Sequence, residues 1–229
     1  MAAGEGRRLR PLTERWAKPV LPIDGRPMVA TLLHELAAAA VERVTVVTGH
    51  LAEQVEELAG DGSAFGLEVR FARQPRADGS ADAVSRALRA GARPPLIVSA
   101  ADTVFTRGDV ARFVSTFRAS ASAGAVGARL GRPPTAEKPG LRVDAGRIVA
   151  VHDLDPELMH TSAPLWAFGP ELVPYLDGLP GPPWELKDVF QRAIDDGHAI
   201  ASIELGKTRD LTDPLDLVRE NFPYLDWTT

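Results

Sequence analysis

Apolar residues recur along this chain at two periods, and the periods alternate. Val29, Leu32, Leu33 and Leu36 fall at helical spacing within Pro27–Val41, with proline suited to the first turn. Arg43–Thr48 follows as a short β-branched run, a buried strand. Leu51–Ala59 reads as an acidic helix stopped by Gly60, and Leu67–Ala72 alternates like a strand. Ser80–Ala90 is a helix with Ser80 as its expected N-cap. Pro95–Ala100 is a buried strand, residues 108–119 are helical, and residues 124–128 are strand-like. Strands alternating with helices imply an α/β fold, a mostly parallel sheet with helices on both faces.

The pattern loosens after about residue 130. Residues 131–140 are loop by composition. Residues 141–143 and 147–151, joined through Asp144-Ala145-Gly146, predict a hairpin. Pro164–Phe168 reads as a strand, Pro170–Leu176 as a short helix, and residues 178–184 as a Pro/Gly loop. An amphipathic helix over Leu186–Asp196 ends at Gly197. A strand at Ala199–Leu205 and a helix at Pro214–Asn221 close the chain. No repeat or low-complexity linker divides it. Residues 1–229 read as a single domain, with 1–130 as a nucleotide-binding half and 131–229 as an acceptor-binding half.

At 229 residues the chain can bury roughly 70% of its unfolded surface. A net charge of -5 argues against non-specific nucleic-acid binding. The absence of cysteine removes disulfides and thiolate metal sites. No run of about 18 apolar residues predicts a membrane span, and the N-terminus lacks a signal-peptide core. A cytoplasmic protein without membrane or nucleic-acid partners is expected, with room for a homo-oligomer.

The chemistry concentrates in Ala2–Thr13 and Lys18–Pro22. Gly4 and Gly6 lie close together, Arg7, Arg8 and Arg10 follow, and Lys18 stands before Pro19. Glycines admit close backbone approach, and successive free N–H groups form a concave anion site. With the charges of Arg8 and Lys18 this reads as a cradle for a polyphosphate. A basic surface loop is the plainer alternative. Leu9 stands where a dinucleotide fingerprint needs its third glycine, and no Gly-Lys-Ser/Thr follows at Walker spacing.

Asp102 follows a strand whose carboxyl end is a ligand position in open α/β sheets, and a carboxylate there suits Mg²⁺. A loop or cap aspartate is the alternative. Gln74, just past a strand, carries an amide that both donates and accepts, which suits a base edge. Gly79 and Ser80 follow at a helix start. Asp210 could be a second acidic ligand or a helix-start aspartate, a role that Asp213 before Pro214 fills better.

The strings Ala2–Thr13 and Ala17–Met28, with Gln74…Gly79-Ser80-Ala81 and Val98…Asp102, resemble the signature of the sugar nucleotidylyltransferases. The resemblance is strong in the first 35 residues and thins after Asp102. It implies a Rossmann-like doubly wound fold of the nucleotide-diphospho-sugar transferase type. It implies transfer of a nucleotidyl group from an NTP to a sugar 1-phosphate, with release of pyrophosphate. Ala3, Gly4, Gly6, Arg7, Arg8, Gln74, Gly79 and Ser80 would bind the nucleotide, a pyrimidine favoured by Gln74. Arg8, Lys18 and Asp102 would be catalytic, with Asp102 and Asp210 holding Mg²⁺. Glu185, in Glu185-Leu186-Lys187-Asp188, would accept from sugar hydroxyls.

Departures exist. His152-Asp153 stands where the family usually has its acceptor lysine, and Lys138 in Glu137-Lys138-Pro139 is the remaining lysine for that role. Ala101 replaces a glycine before Asp102. A non-catalytic nucleotide- or sugar-phosphate-binding regulator is therefore the competing reading. Only Met1-Ala2-Ala3 precede the loop, where a buried strand is normal, so an upstream extension of roughly five to ten apolar residues is also expected.

Overall fold

The computed structural model describes residues 1–131, 134–135, 140–222 and 224. After an N-terminal loop, β1 (Pro22–Ile23) and β2 (Arg26–Pro27) form a two-residue ribbon. Helix α1 (Met28–Ala38) buries the predicted stripe, Val29, Leu32, Leu33 and Leu36. Then come β3 (Arg43–Thr48), α2 (Ala52–Ala59), β4 (Glu68–Arg73), α3 (Ser80–Arg89), β5 (Leu96–Ser99) and α4 (Asp109–Ala119). The second half holds β6 (Gly124–Leu130), β7 (Gly140–Asp144), β8 (Arg147–Asp153) and β9 (His160–Phe168). A 3-10 segment at Pro170–Leu176, α5 (Leu186–Asp195), β10 (Ile200–Leu205) and α6 (Pro214–Asn221) complete it. Asp213 caps α6 in a capping box with Asp216, so this aspartate is a helix-start residue.

Helices cover both faces of the sheet, as the alternation implies. On one face α1, α2 and α4 pack Leu33, Val55, Phe113 and Phe117 against Leu165 and Ile203. On the other, α3, α5 and the 3-10 segment pack Val84, Leu172, Val189 and Phe190 against Val126 and Phe168. Phe113, Phe168 and Phe190 are fully buried, and each contributes about 1.5–3 kcal/mol by burial.

The sheet is not mostly parallel, which corrects one expectation. β3 and β4 pair in parallel, and β6 and β10 do so too. In the six-stranded sheet of order β5-β9-β6-β10-β8-β7, every other neighbour pair is antiparallel. A further pairing of Gly140 in β7 with Thr161 in β9 closes the ladder on itself as a small barrel. The cause is connectivity. β7, β8 and β9 follow one another without an intervening helix, and short connections reverse the chain. β9 thereby inserts antiparallel between β5 and β6.

Residues 1–3 lie between β3 and β5. The Ala2 N–H donates to Val47 O, Ala2 bridges Thr48 in parallel, and the Ala101 N–H donates to Met1 O. The Met1 ammonium donates to Ser99 O at 2.7 Å. Ahead of it, between the two strands, is a cavity of about 500 Å³ lined by Val44, Val46, Ile97, Leu33 and Val84. Enclosure there pushes the ammonium pKa from 8.0 down to about 6, against a smaller upward pull from Asp102.

Candidate functional site

The N-terminal loop leaves the sheet at Ala3 and turns at once. Gly6 sits at φ +60, and a Cβ there would lie 2.9 Å from the Thr13 methyl and 3.3 Å from Lys18 Cβ. Only glycine fits this turn without strain. The hydroxyl of Thr13 donates to Gly6 O at 2.9 Å, and Nε2 of His50 donates to Thr13 O at 2.7 Å. These contacts brace the loop from behind. The N–H groups of Gly4 to Arg7 take no partner among the described residues. They form the row of donors that an anion needs. Arg7 turns outward and pairs with Glu5 at 2.8 Å. That guanidinium holds the Glu5 carboxyl below the usual carboxylate range, first by hydrogen bonding and then by charge.

Lys18 lies under this loop and is only 12% exposed. Its Nζ meets Asp102 Oδ2 at 2.7 Å. Asp102 follows β5, and two residues on, Val104 exchanges backbone hydrogen bonds with Arg209. That bridge sets the Asp102 segment beside the Asp210 segment, 108 residues later in sequence. Leu211 and Thr212 join the wall of the cleft, and the Thr212 hydroxyl contacts Asp210 Oδ2 at 3.4 Å.

Gln74, at the end of β4, is buried. Its Nε2 donates to Gly79 O at 3.0 Å and to Asp82 Oδ2 at 2.8 Å. Ser80 is the first residue of α3 and not its cap, which is Gly79. Its hydroxyl donates to Glu185 Oε2 at 2.5 Å and accepts from the Leu186 N–H at 2.8 Å. The turn before α3 is thus stapled to the loop before α5. Gly79 lies against that loop at φ +107, where a Cβ would fall 2.2 Å from Trp184 O. Gly79→Ala is expected to cost on the order of 3 kcal/mol, from strain plus overlap. A thermal melt should drop by about 6–12 °C; an unchanged melt would contradict the packing described.

Ala3, Gly4, Gly6, Arg7, Arg8, Lys18, Gln74, Gly79, Ser80, Asp102 and Glu185 line one cleft of about 470 Å³. Asp210 is not among the lining residues, although Leu211 and Thr212, which follow it, are. Lys138 lies outside the described residues. Sequence reasoning passed over Thr13, His50 and Asp82. The Thr13 and His50 contacts depend on loop closure and left no spacing signal. Asp82 stands two residues into a motif already singled out and was readable only as a helix residue.

Fold and cleft together define an α/β protein with a cleft lined by unpartnered backbone N–H groups and by Lys18. The family model for nucleotidyl transferase matches residues 1–141, and the chain belongs to that family. A glucose-1-phosphate thymidylyltransferase from Streptomyces antibioticus is 27% identical over 237 residues, covering 99% of this chain and 65% of that protein. The low-salt glycan biosynthesis nucleotidyltransferase Agl11 of Haloferax volcanii is 26% identical, covering 96% of this chain and 64% of its own length. An N-acetylmuramate alpha-1-phosphate uridylyltransferase from Neisseria meningitidis serogroup B is 35% identical over 102 residues, 43% of this chain and 44% of that one. The chain thus spans less than two thirds of the length of these relatives. A crystal structure of a putative glucose-1-phosphate thymidylyltransferase from Bacillus anthracis shares the fold, with TM-score 0.85 at 19% identity. That match covers 100% of this chain and 95% of that one. No helix among the described residues is long and apolar enough to cross a membrane.

Proposed function

We propose that this protein transfers a nucleotidyl group from a nucleoside triphosphate, a pyrimidine nucleotide by preference, to a sugar 1-phosphate. The observation that carries the reading is the shared cleft: donor-rich loop, Lys18, Asp102 and Gln74 in one wall. An acceptor phosphate oxygen attacks the α-phosphorus, the bond to the β-phosphate bridge breaks, and pyrophosphate leaves. No covalent intermediate is required. The protein's task is to align two anions and offset the charge that develops. The Gly4–Arg7 N–H groups cradle the triphosphate, while Lys18 and Arg8 draw on the departing pyrophosphate. Lys18 exchanges Asp102 for phosphate oxygens as the nucleotide enters.

Mg²⁺ fits this donor set. Asp102 presents a hard oxygen ligand at the cleft, and Asp210 stands in the adjoining segment. Among the described residues no group of three acidic or histidine side chains forms a ready-made cage. That suits an ion that takes one or two carboxylates and completes its shell with phosphate and water. When bound it would neutralise phosphate charge. The half from residue 131 onward, with Glu185, would receive the acceptor, and a cytoplasmic location belongs to the same reading.

The test is pyrophosphate release, detected as phosphate after adding pyrophosphatase, across the four NTPs and TTP with a panel of sugar 1-phosphates. Release that needs both substrates is expected. Nucleotide binding with no release under any pairing would replace an enzyme with a binding regulator.

A further inference from the structure

Arg209 joins parts of the molecule that are far apart in sequence. Its backbone pairs both ways with Val104, two residues past Asp102. Its side chain leaves this bridge for Asp24, in the turn between β1 and β2. Nη1 donates to Asp24 Oδ1 at 3.2 Å, and Nη2 donates to Oδ2. Nη1 also lies 3.4 Å from Glu220 Oε2, on α6. The end of α6 grips the same turn. The Asp24 N–H donates to Glu220 O at 3.3 Å, the Gly25 N–H to Asn221 Oδ1 at 2.7 Å, and Asn221 Nδ2 to Pro22 O at 2.8 Å. Leu9, Leu21, Ile23, Met28 and Leu211 are buried there as one small core, with Val104 and Leu217 packed against it. That core draws on the N-terminal loop, the ribbon after Lys18, both aspartate segments and α6.

The contacts close a ring. Lys18 Nζ meets Asp102 Oδ2 at 2.7 Å, and the Asp102 segment pairs with Arg209 through Val104. Arg209 then returns to Asp24, on the ribbon that follows Lys18. Asp210 is the next residue after Arg209. We propose that Arg209 is a positioning residue whose fork to Asp24 holds the Asp210 carboxylate at its post beside the Asp102 segment. The inference rests on the nucleotidyl-transfer reading in which Asp102 and Asp210 hold Mg²⁺. Its own content is that an ion pair in which neither Asp102 nor Asp210 takes part assembles that site. A planar guanidinium suits the task, because two parallel hydrogen bonds fix direction as well as distance. With the fork cut, pairing to Val104 keeps the segment in place, while the peptide beside Asp210 gains freedom to turn. Asp24 is 63% exposed and Arg209 29%, so the pair contributes little to global stability. The fold therefore survives its loss, and the change is local.

Asp24→Asn removes the charge without disturbing the turn. Asp24 and Gly25 have φ of +52 and +71, a two-residue turn that Asn-Gly fills as readily as Asp-Gly. Wild type, Asp24→Asn, Arg209→Gln and the double variant are titrated calorimetrically with UTP, with and without Mg²⁺. In the wild type Mg²⁺ should tighten UTP binding. Each single variant should keep the metal-free affinity, because the Gly4–Arg7 N–H row and Lys18 are untouched. With Mg²⁺ each should lose about three- to fivefold, the scale of one exposed ion pair. The double variant should lose no more than Arg209→Gln alone, since residues that act through one pair are not additive. Arg209→Lys keeps the charge without the fork and should fall between. A merely structural role would weaken UTP alike with and without Mg²⁺, and that outcome overturns the proposal. Additive losses in the double variant, or unchanged Mg²⁺-dependent affinity in both single variants, overturn it too. Asp210→Asn separates this proposal from the reading beneath it. If Asp210→Asn loses the Mg²⁺-dependent gain and the Asp24 and Arg209 variants do not, the positioning role alone falls. If Asp210→Asn keeps that gain, or the wild type shows none, Asp210 is no metal ligand and both fall.

Discussion

Asp102→Asn should lower turnover at saturating nucleotide by about 100-fold or more, the scale of losing one preorganised charge at a reacting phosphate. The substitution keeps the shape of the side chain and removes its charge. It deletes the hard oxygen ligand that Mg²⁺ prefers and leaves Lys18 without its partner at 2.7 Å. The fold should survive. Asp102 is about a third exposed, and ion pairs of that exposure contribute only about 0–1 kcal/mol. Asp210→Asn should also lose most turnover while folding normally, since its segment is bridged to that of Asp102 through Arg209 and Val104. Chelation of divalent cations should silence the wild type. Steady-state pyrophosphate assays on purified, spectroscopically folded variants decide this. An Asp102→Asn protein that keeps a third of its rate would take Asp102 out of the chemistry.

In a protein that starts at Met1, stability should rise with pH between about 6 and 8, and the Met1 ammonium is the reason. Burial holds its folded pKa at about 6, below the 8.0 of an exposed terminus. Between those values the unfolded chain binds the extra proton, so folding is favoured as pH climbs and loses ground as pH falls. A shift of that size is worth on the order of 2–3 kcal/mol. Melting at pH 8 should accordingly lie about 4–12 °C above melting at pH 6. The comparison that isolates Met1 is with Nα-acetylated protein. Acetylation removes the charge, and the acetyl group can occupy the neighbouring cavity. The same slope in both forms would show that the terminus does not matter.

Much of the first half was legible because its signals are local. The α1 stripe and the β-branched run of β3 each announce their element within a dozen residues. The Gly4–Lys18 string was legible for a similar reason, as a contiguous loop whose glycines and cations belong together. Strand direction was not legible. The expectation of a mostly parallel sheet extended the β–α alternation beyond β6, where β7, β8 and β9 arrive without helices. The closure of β7 on β9 depends on one residue pair, Gly140 and Thr161, with no pattern to mark it. Ser80 and Glu185 were each read separately, yet their hydrogen bond spans 105 residues of sequence.

The gap ahead of Met1 makes whatever precedes this residue a matter of secondary structure. Both flanking strands run in the same direction as residues 1–3. Whatever amino acid is joined to Met1 must enter between them, at about 3.3 Å per residue. A purification tag at this end is then no neutral handle. A leader of valine and isoleucine could knit the two half-sheets together, whereas a polyhistidine or acidic leader would force charge into an apolar seam or prise it open. Versions of the chain that differ only in their leader would be different proteins thermodynamically, and a handle at the other end leaves this seam alone.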